Sequence, residues 1–290
     1  MIMQCPTPES IPRPNGKGAT DRISIPCGAC AFCLENKRSE WTFRLREEQK
    51  ASYSAYFLTL TYSDEYLPLN EYGYDSLSKD DLKRFNKRLR IHQTRLIAKY
   101  HLEEKYAKWP PIRFYAIGEY GPTTMRPHYH GIYFNIIPEI ITKIDTIWQQ
   151  GHLKIGTTTP ASIHYVTGYL IQPGQDYTYL TKPFALMSRR PGIGSAYMDK
   201  EKIKYHQKTK NFYGIQDGYR VNLPRFYRDK LFNKTEKEAQ ANKNRALSDK
   251  KEHKTFERLS KLGNNPFTRR DLEIEEKNRK VNKSLKTKKL

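Results

Sequence analysis

Residues 126–131, which read Arg-Pro-His-Tyr-His-Gly, constrain the fold more than any other segment of this chain. One residue separates His128 from His130, and the surrounding residues are apolar and strand-forming. Side chains alternate between the two faces of a β-strand, so both imidazoles point to one face and Tyr129 points to the other. The pattern therefore predicts a strand that presents two metal-binding nitrogens side by side.

The segment before this strand supplies a third candidate ligand. Residues 113–120 also predict a strand, and the Gly-Pro pair that follows predicts a turn. A hairpin symmetric about Thr123 and Thr124 places Glu119 directly opposite His128, on the same face of the sheet. Two imidazoles and a carboxylate would then hold a metal with positions open for substrate. Ordinary half-buried histidines in a hairpin are the alternative interpretation.

The composition favours a polyanionic partner. The chain carries 52 Lys and Arg against 31 Asp and Glu, a net charge of +21, and nucleic acid is the usual partner of such an excess. Its 21 tyrosines offer material for stacking on exposed bases. Neither an apolar run of membrane-spanning length nor a signal segment is present, so we expect no membrane partner and a reducing cytoplasm.

All four cysteines lie near the beginning of the chain, at Cys5, Cys27, Cys30 and Cys33. In a reducing compartment this clustering favours metal binding over disulfides. Four thiolates complete a tetrahedral zinc site, which would be structural. An iron–sulfur cluster and unpaired cysteines in a flexible arm are the alternatives.

The order of predicted elements indicates an α+β fold, with an antiparallel central sheet flanked by helices. In residues 56–62, alternation places Phe57, Thr59 and Thr61 on one face of a strand. The predicted elements are a helix at 34–51, a strand at 56–62, a helix at 79–100, the hairpin at 113–135, a helix at 138–149, a strand at 152–155 and a helix at 162–171.

The ends of the chain differ in composition from its centre. Residues 1–33 form a Cys-rich segment that could bind zinc, residues 34–227 the main domain and residues 228–290 a basic tail. That tail holds 20 Lys and Arg against 10 Asp and Glu and few large apolar residues. It can bury little surface, which predicts a disordered or weakly helical segment. It could tether phosphates electrostatically or serve only as a solvated tail.

Two tyrosines, Tyr165 and Tyr169, lie four residues apart in a predicted helix. That spacing places them on one helix face, about one turn apart. A phenol is a poor nucleophile in water, but a metal ion that polarises a phosphate makes attack on that phosphate feasible. Two aromatic residues packing against a core are the alternative interpretation of this spacing.

Taken together, these motifs resemble the HUH endonucleases, and more closely the replication initiation proteins of gokushoviruses within the microvirus family. The resemblance covers most of residues 20–231. The similar segments are FLTLTY at 57–62, GEYG and RPHYHG within 118–131, YVTGY at 165–169, the IPCGAC-x-x-C segment at 25–33, FALMSRRPGIG at 184–194 and LPRFYRDKL at 223–231.

The resemblance implies an HUH/RRM-like fold and an activity. Glu119, His128 and His130 match the ligands of a catalytic Mg²⁺ or Mn²⁺, and Tyr165 and Tyr169 match paired nucleophiles. Such enzymes nick and rejoin single-stranded origin DNA through a 5′-phosphotyrosine, which starts rolling-circle replication in the cytoplasm of a bacterial host. The chain has no phosphate-binding P-loop motif, so unwinding would need a host helicase, and the free 3′-hydroxyl would prime a polymerase.

Three other functions remain compatible with the sequence. A plasmid initiator or mobilisation relaxase would use the same chemistry. A noncatalytic zinc-containing nucleic-acid-binding protein would use the histidines and tyrosines only for packing. A metal phosphoesterase that activates water would cut without forming a covalent adduct.

Overall fold

In a computed structural model of the chain, residues 5–13, 18, 20–168, 177–261 and 265–286 are described. The chain forms two compact units, one comprising Met1–Phe43 and Met198–Lys289 and the other Arg44–Tyr197. The strands are β1 (Glu9–Pro12), β2 (Arg22–Ile25), β3 (Ala55–Tyr62), β4 (Arg113–Tyr120), β5 (Pro127–Phe134), β6 (Gly151–Thr157), β7 (Phe184–Met187), β8 (Tyr213–Gln216) and β9 (Tyr219–Asn222). The helices are α1 (Ala31–Lys50), α2 (Lys79–Lys99), α3 (Pro138–Ile141), α4 (Ile144–Trp148), α5 (Pro160–Gly168), α6 (Lys200–Thr209), α7 (Arg225–Leu231), α8 (Lys234–Ser260) and α9 (Pro266–Lys286).

A five-stranded sheet forms the centre of the 44–197 unit. Its strand order is β6-β3-β5-β4-β7, and every neighbouring pair is antiparallel. The predicted α+β class, with an antiparallel central sheet flanked by helices, is confirmed. The predicted alternation along β3 is also confirmed, because Leu58, Leu60 and Tyr62 are buried in the core while Thr59 and Thr61 pair with the two histidines of β5.

Helix α2 covers one face of this sheet. Leu82, Phe85 and Leu89 are fully buried along its apolar stripe and belong to one core cluster with Tyr129 and Tyr133 of β5. Burial of such side chains contributes roughly 1.5–3 kcal/mol each. The helix begins as its sequence predicts, because the hydroxyl of its N-terminal cap, Ser78, accepts a hydrogen bond from the N–H of Asp81 at 3.2 Å.

Two local predictions about the 44–197 unit need correction. The single helix predicted at 138–149 is interrupted, because Lys143 adopts a non-helical backbone (φ −122°) between α3 and α4. Strand β7 escaped prediction, since its four residues show no alternation and are held by long-range pairing with β4. Gly118 faces Phe184 there, and a Cβ at Gly118 would lie 3.1 Å from the ring.

The other unit contains two small hairpins, β1–β2 and β8–β9, and helices α6 to α9. Phe43, the last residue of α1 within this unit, packs edge-on against Tyr227 of α7 with ring centroids 5.7 Å apart. Most of the basic C-terminal segment is helical, and α8 starts with a capping box formed by Asn233 and Glu236. Within the described residues, we find no helix with the length and apolar content of a membrane span.

Candidate metal and tyrosine site

Strands β4 and β5 bring a carboxylate and two imidazoles together. Glu119 pairs directly with His128, as the hairpin symmetry predicted. Oε1 of Glu119 lies 2.9 Å from Nε2 of His128 and 3.0 Å from Nε2 of His130. The alternation of the strand puts both rings on one face, and the antiparallel register supplies the carboxylate opposite them. Three atoms that bind divalent metals therefore converge at one point.

Each imidazole makes a second hydrogen bond through its other nitrogen. Nδ1 of His128 lies 3.0 Å from the carbonyl oxygen of Arg126, so Nδ1 carries the proton and donates it. Nδ1 of His130 lies 2.9 Å from the hydroxyl of Thr59, which can accept in the same way. Protonation at Nδ1 leaves Nε2 as the free lone pair. Metal-binding histidines in proteins are usually oriented by such outer hydrogen bonds.

The surroundings of Glu119 also suit a cation. The residue is 3% exposed, and its Oε2 atom has no hydrogen-bond partner among the described residues. A buried carboxylate is costly unless a positive charge or a full set of donors compensates it. Burial acts to lower the pKa of His128, but the hydrogen bond and charge of Glu119 outweigh burial, and the pKa is raised. This donor set and the unsatisfied oxygen fit a divalent metal such as Mg²⁺ or Mn²⁺.

Helix α5 delivers a phenol to the same cluster. The hydroxyl of Tyr165 lies 3.3 Å from Oε1 of Glu119 and 3.3 Å from Nε2 of His130. Its ring packs edge-on against His130 and Phe57, at centroid distances of 5.0 and 6.0 Å. Those contacts hold the ring of Tyr165 over the metal-binding face of the sheet.

The helix starts two residues earlier than its sequence indicated. The predicted start was Ser162, whereas α5 begins at Pro160. The hydroxyl of Thr159 accepts a hydrogen bond from the N–H of Ser162 at 3.1 Å, and the hydroxyl of Ser162 accepts one from the N–H of Thr159 at 2.7 Å. These reciprocal bonds cap the helix and allow Pro160 to occupy its first position. The second candidate nucleophile, Tyr169, lies outside the described residues.

The structure adds residues that sequence reasoning did not assign to the site. Thr59 orients His130, and Arg126 orients His128 through its backbone carbonyl. On the edge strand β6, Lys154 pairs with Thr59 and His152 pairs with Thr61. Directly paired residues share a face, so these two exposed basic side chains lie on the same face as the cluster. The alternation of β3 was a usable signal, but only the strand order shows what it faces.

The four cysteines form a second, separate cluster in the other unit. One sulfur atom from each of Cys5, Cys27, Cys30 and Cys33 lies within 4.8 Å of the other three. Hydrogen bonds from the N–H groups of Cys30 and Ala29 lower the pKa of Cys27 to about 6, whereas burial raises the pKa of Cys33 to about 12. All four are free thiols.

Comparison with known proteins gives this geometry a family. Residues 55–173 match a family model of replication-associated proteins of the ORF2 type, a range that contains the metal cluster and both tyrosines. The replication-associated protein VP4 of Bdellovibrio phage phiMH2K is 28% identical over 227 residues, which span 71% of this chain and 67% of that protein. The chain is a relative of phage replication-associated proteins.

Two further phage replication-associated proteins support this relationship. Replication-associated protein ORF2 of Spiroplasma virus 4 is 28% identical over 70% of this chain and 66% of its own length. Replication-associated protein ORF4 of Chlamydia phage 1 is 23% identical over 71% of this chain and about half (53%) of its own length. No solved structure gives a significant match. The resemblance to gokushovirus replication proteins is thereby confirmed.

Proposed function

We propose that this protein is a site-specific nickase that starts rolling-circle replication of a circular single-stranded DNA phage in its bacterial host. One observation carries the proposal: a phenolic hydroxyl lies 3.3 Å from a carboxylate oxygen toward which two imidazole nitrogens converge. The similarity to phage replication-associated proteins supports a role in replication, and the site supports the chemistry.

In this mechanism Glu119, His128 and His130 hold Mg²⁺ or Mn²⁺. When bound, the ion polarises the scissile phosphate and stabilises the charge that develops on its oxygens. Tyr165 attacks the phosphorus, so that its oxygen forms a new bond to phosphorus while the bond to the 3′-oxygen breaks. The phenol loses one proton and the 3′-oxygen gains one. The products are a 5′-phosphotyrosine and a free 3′-hydroxyl.

Rejoining uses the same bonds in reverse. The phosphotyrosine is an ester of similar energy to the one that was broken, so a 3′-hydroxyl can displace the tyrosine without ATP. The spacing of Tyr169 from Tyr165 predicts that a second phenol acts in a later exchange. We propose that a host polymerase extends the 3′-hydroxyl and that a host helicase unwinds the duplex.

A covalent-adduct assay tests the nucleophile. Single-stranded oligonucleotides tiled across the replicon that encodes the chain are incubated with the protein and Mn²⁺, and a slowly migrating protein–DNA adduct is sought. We expect one oligonucleotide to give an adduct, and the double variant Tyr165→Phe/Tyr169→Phe to give none. Tyr100→Phe is the matched control, since that phenol is exposed at the end of α2. An adduct formed by the double variant at the wild-type rate would contradict the assignment.

A binding assay tests the metal separately. Calorimetric titration with Mn²⁺ should show one site in the wild-type protein, and its affinity should be lost in His128→Ala/His130→Ala. His92→Ala, an exposed histidine on α2, is the control. Cleavage without an adduct would instead indicate a phosphoesterase, and tight DNA binding without any cleavage would indicate a noncatalytic binding protein. Either result overturns the proposal.

A further inference from the structure

The cysteine cluster closes the base of the β1–β2 hairpin. Cys5 precedes β1, and Cys27 follows β2, so both lie just beyond the open end of the hairpin, where Glu9 pairs with Ile25. Cys33 lies in the first turn of α1. The cluster thus joins three segments that are separate along the chain.

The sulfur positions fit one tetrahedral ion. Sγ of Cys5 lies 3.5 Å from Sγ of Cys27 and 3.8 Å from Sγ of Cys30. A tetrahedron with zinc–sulfur bonds of about 2.3 Å has sulfur atoms about 3.8 Å apart. A disulfide needs a separation of about 2.05 Å. In an iron–sulfur cluster with several irons, the thiolates bind different metal atoms, which separates their sulfurs more widely than one shared ion does.

Backbone groups are arranged around the sulfurs as donors. The N–H of Cys27 donates to Sγ of Cys5 at 3.4 Å, and the N–H of Cys30 donates to Sγ of Cys27 at 3.3 Å. Gly28, between these two cysteines, adopts a left-handed backbone with φ +74°, which favours glycine. The turn therefore points amide donors at sulfur atoms, an arrangement that stabilises thiolate charge.

The hairpin has little else to hold it together. Each strand has four residues, and every residue of both strands is exposed or only partly buried. An isolated two-stranded hairpin is marginally stable at best in water. Thus the apolar burial that stabilises the central sheet is missing here, and a cross-link at the open end would supply the missing stability.

We propose that Cys5, Cys27, Cys30 and Cys33 bind one structural Zn²⁺ that folds residues 5–33. Soft thiolate ligands and a closed tetrahedral set suit zinc in a structural role and leave no position for substrate. The site is independent of the proposed nickase chemistry. It predicts that the metal content and the protection of the hairpin change together, whatever happens at Glu119 and the two histidines.

The metal content of the full-length protein tests the identity of the ion. Protein purified without chelators should contain one zinc per chain by mass spectrometry, and replacement with Co²⁺ should give the intense visible and near-ultraviolet bands of tetrahedral cobalt thiolate. His128→Ala/His130→Ala should retain the zinc. A chain without bound zinc, iron with inorganic sulfide in its place, or a cobalt spectrum of an octahedral site would overturn the proposal.

Protection from protease tests the structural role. Arg22 lies in β2, where its guanidinium bonds to Ser10 of β1, so tryptic cleavage at Arg22 reports on the hairpin. We expect a strong chelator, and separately Cys27→Ser, to increase the cleavage rate at Arg22 at least tenfold. Ser24→Ala, an exposed change on the same strand, should not. Equal cleavage rates with and without zinc would overturn the proposal, and the chelator experiment on the wild type does not depend on any variant folding.

Discussion

Thr59 shows how a single residue can tune the site without touching substrate. Its hydroxyl lies 2.9 Å from Nδ1 of His130, which favours the tautomer with a free Nε2. We expect Thr59→Val to weaken Mn²⁺ binding by roughly 10- to 100-fold, the usual effect of losing an outer hydrogen-bond partner of a metal ligand. Thr59→Ser keeps the hydroxyl and should retain near-wild-type affinity. Calorimetric titration of the two variants measures the difference, and equal affinities would show that Thr59 does not orient the ligand.

Asp81 gives a residue-level prediction of pH dependence. Its carboxylate accepts hydrogen bonds from Tyr62 at 2.9 Å and from Arg84 at 2.6 Å. Burial by itself would raise the pKa of Asp81, but hydrogen bonds from Arg84, Gln150 and Tyr62 outweigh burial and hold the pKa below its usual value. A carboxyl with a lowered folded-state pKa stabilises the fold above its unfolded pKa. That stabilisation is lost as pH falls through the folded value.

The Asp81→Asn variant tests this sign. We expect it to lower the free energy of unfolding by about 1–3 kcal/mol at pH 7, because a buried charge-assisted network is broken. The difference from wild type should shrink as the pH falls from about 4 toward the lowered folded-state pKa. Urea denaturation at several pH values measures it. Asp80→Asn is the control, since Asp80 is exposed and its ion pair with Lys83 should contribute little.

At the scale of the element, β5 carries a packing constraint on the strand that holds the histidines. Gly131 lies on the face opposite His130, and a Cβ there would lie 2.7 Å from the ring of Tyr133 and 2.9 Å from the Cβ of Ala116. Glycine is therefore required for the close approach of β4 and of the neighbouring ring. An added methyl group must displace packed core atoms.

We expect Gly131→Ala to lower the free energy of unfolding by about 1–3 kcal/mol through overpacking. Gly156→Ala is a matched control in β6 of the same sheet, since a Cβ at Gly156 would make its nearest contact with Phe57 at 3.7 Å and should fit. Chemical denaturation followed by circular dichroism compares them. Equal stability of the two variants would show that the β4–β5 packing relaxes easily.

At the scale of the whole molecule, charge and chemistry reside in different features. The net charge of +21 is spread over the chain, with 20 Lys and Arg in residues 228–290 alone, whereas the metal cluster is three residues. Non-specific DNA binding depends on phosphate neutralisation and weakens as the salt concentration rises, with a slope of about −0.7 per phosphate on a single strand. Binding and cleavage should therefore separate.

We expect the affinity for a non-origin single-stranded oligonucleotide to fall steeply between low and moderate salt. The variant His128→Ala/His130→Ala should show the same affinity and the same salt dependence within about twofold, because it removes no cationic side chain that is needed for phosphate binding. Fluorescence anisotropy across a salt series measures both proteins. A large loss of non-specific affinity in the variant would show that the metal site contributes to general DNA binding.

The sequence alone was sufficient for the local geometry of the site. The period of two in β5 places His128 and His130 on one face, and turn symmetry pairs Glu119 with His128. Local rules work here because the hairpin is formed by neighbouring residues. The same rules found the stripe of α2, while the interruption at Lys143 and the short strand β7 escaped them, since neither has a periodic signal.

The tertiary structure decided what no local pattern encodes. The order β6-β3-β5-β4-β7 sets Thr59 beside His130, and the packing of α5 brings the hydroxyl of Tyr165 within 3.3 Å of the cluster. Folding also brings Cys5 to the other three thiols, which lie more than twenty residues further along the chain. Alternation and spacing fix which side of an element a residue occupies, because they follow from backbone geometry. Which elements meet depends on burial of apolar surface across the whole chain, and only the folded structure resolves that competition.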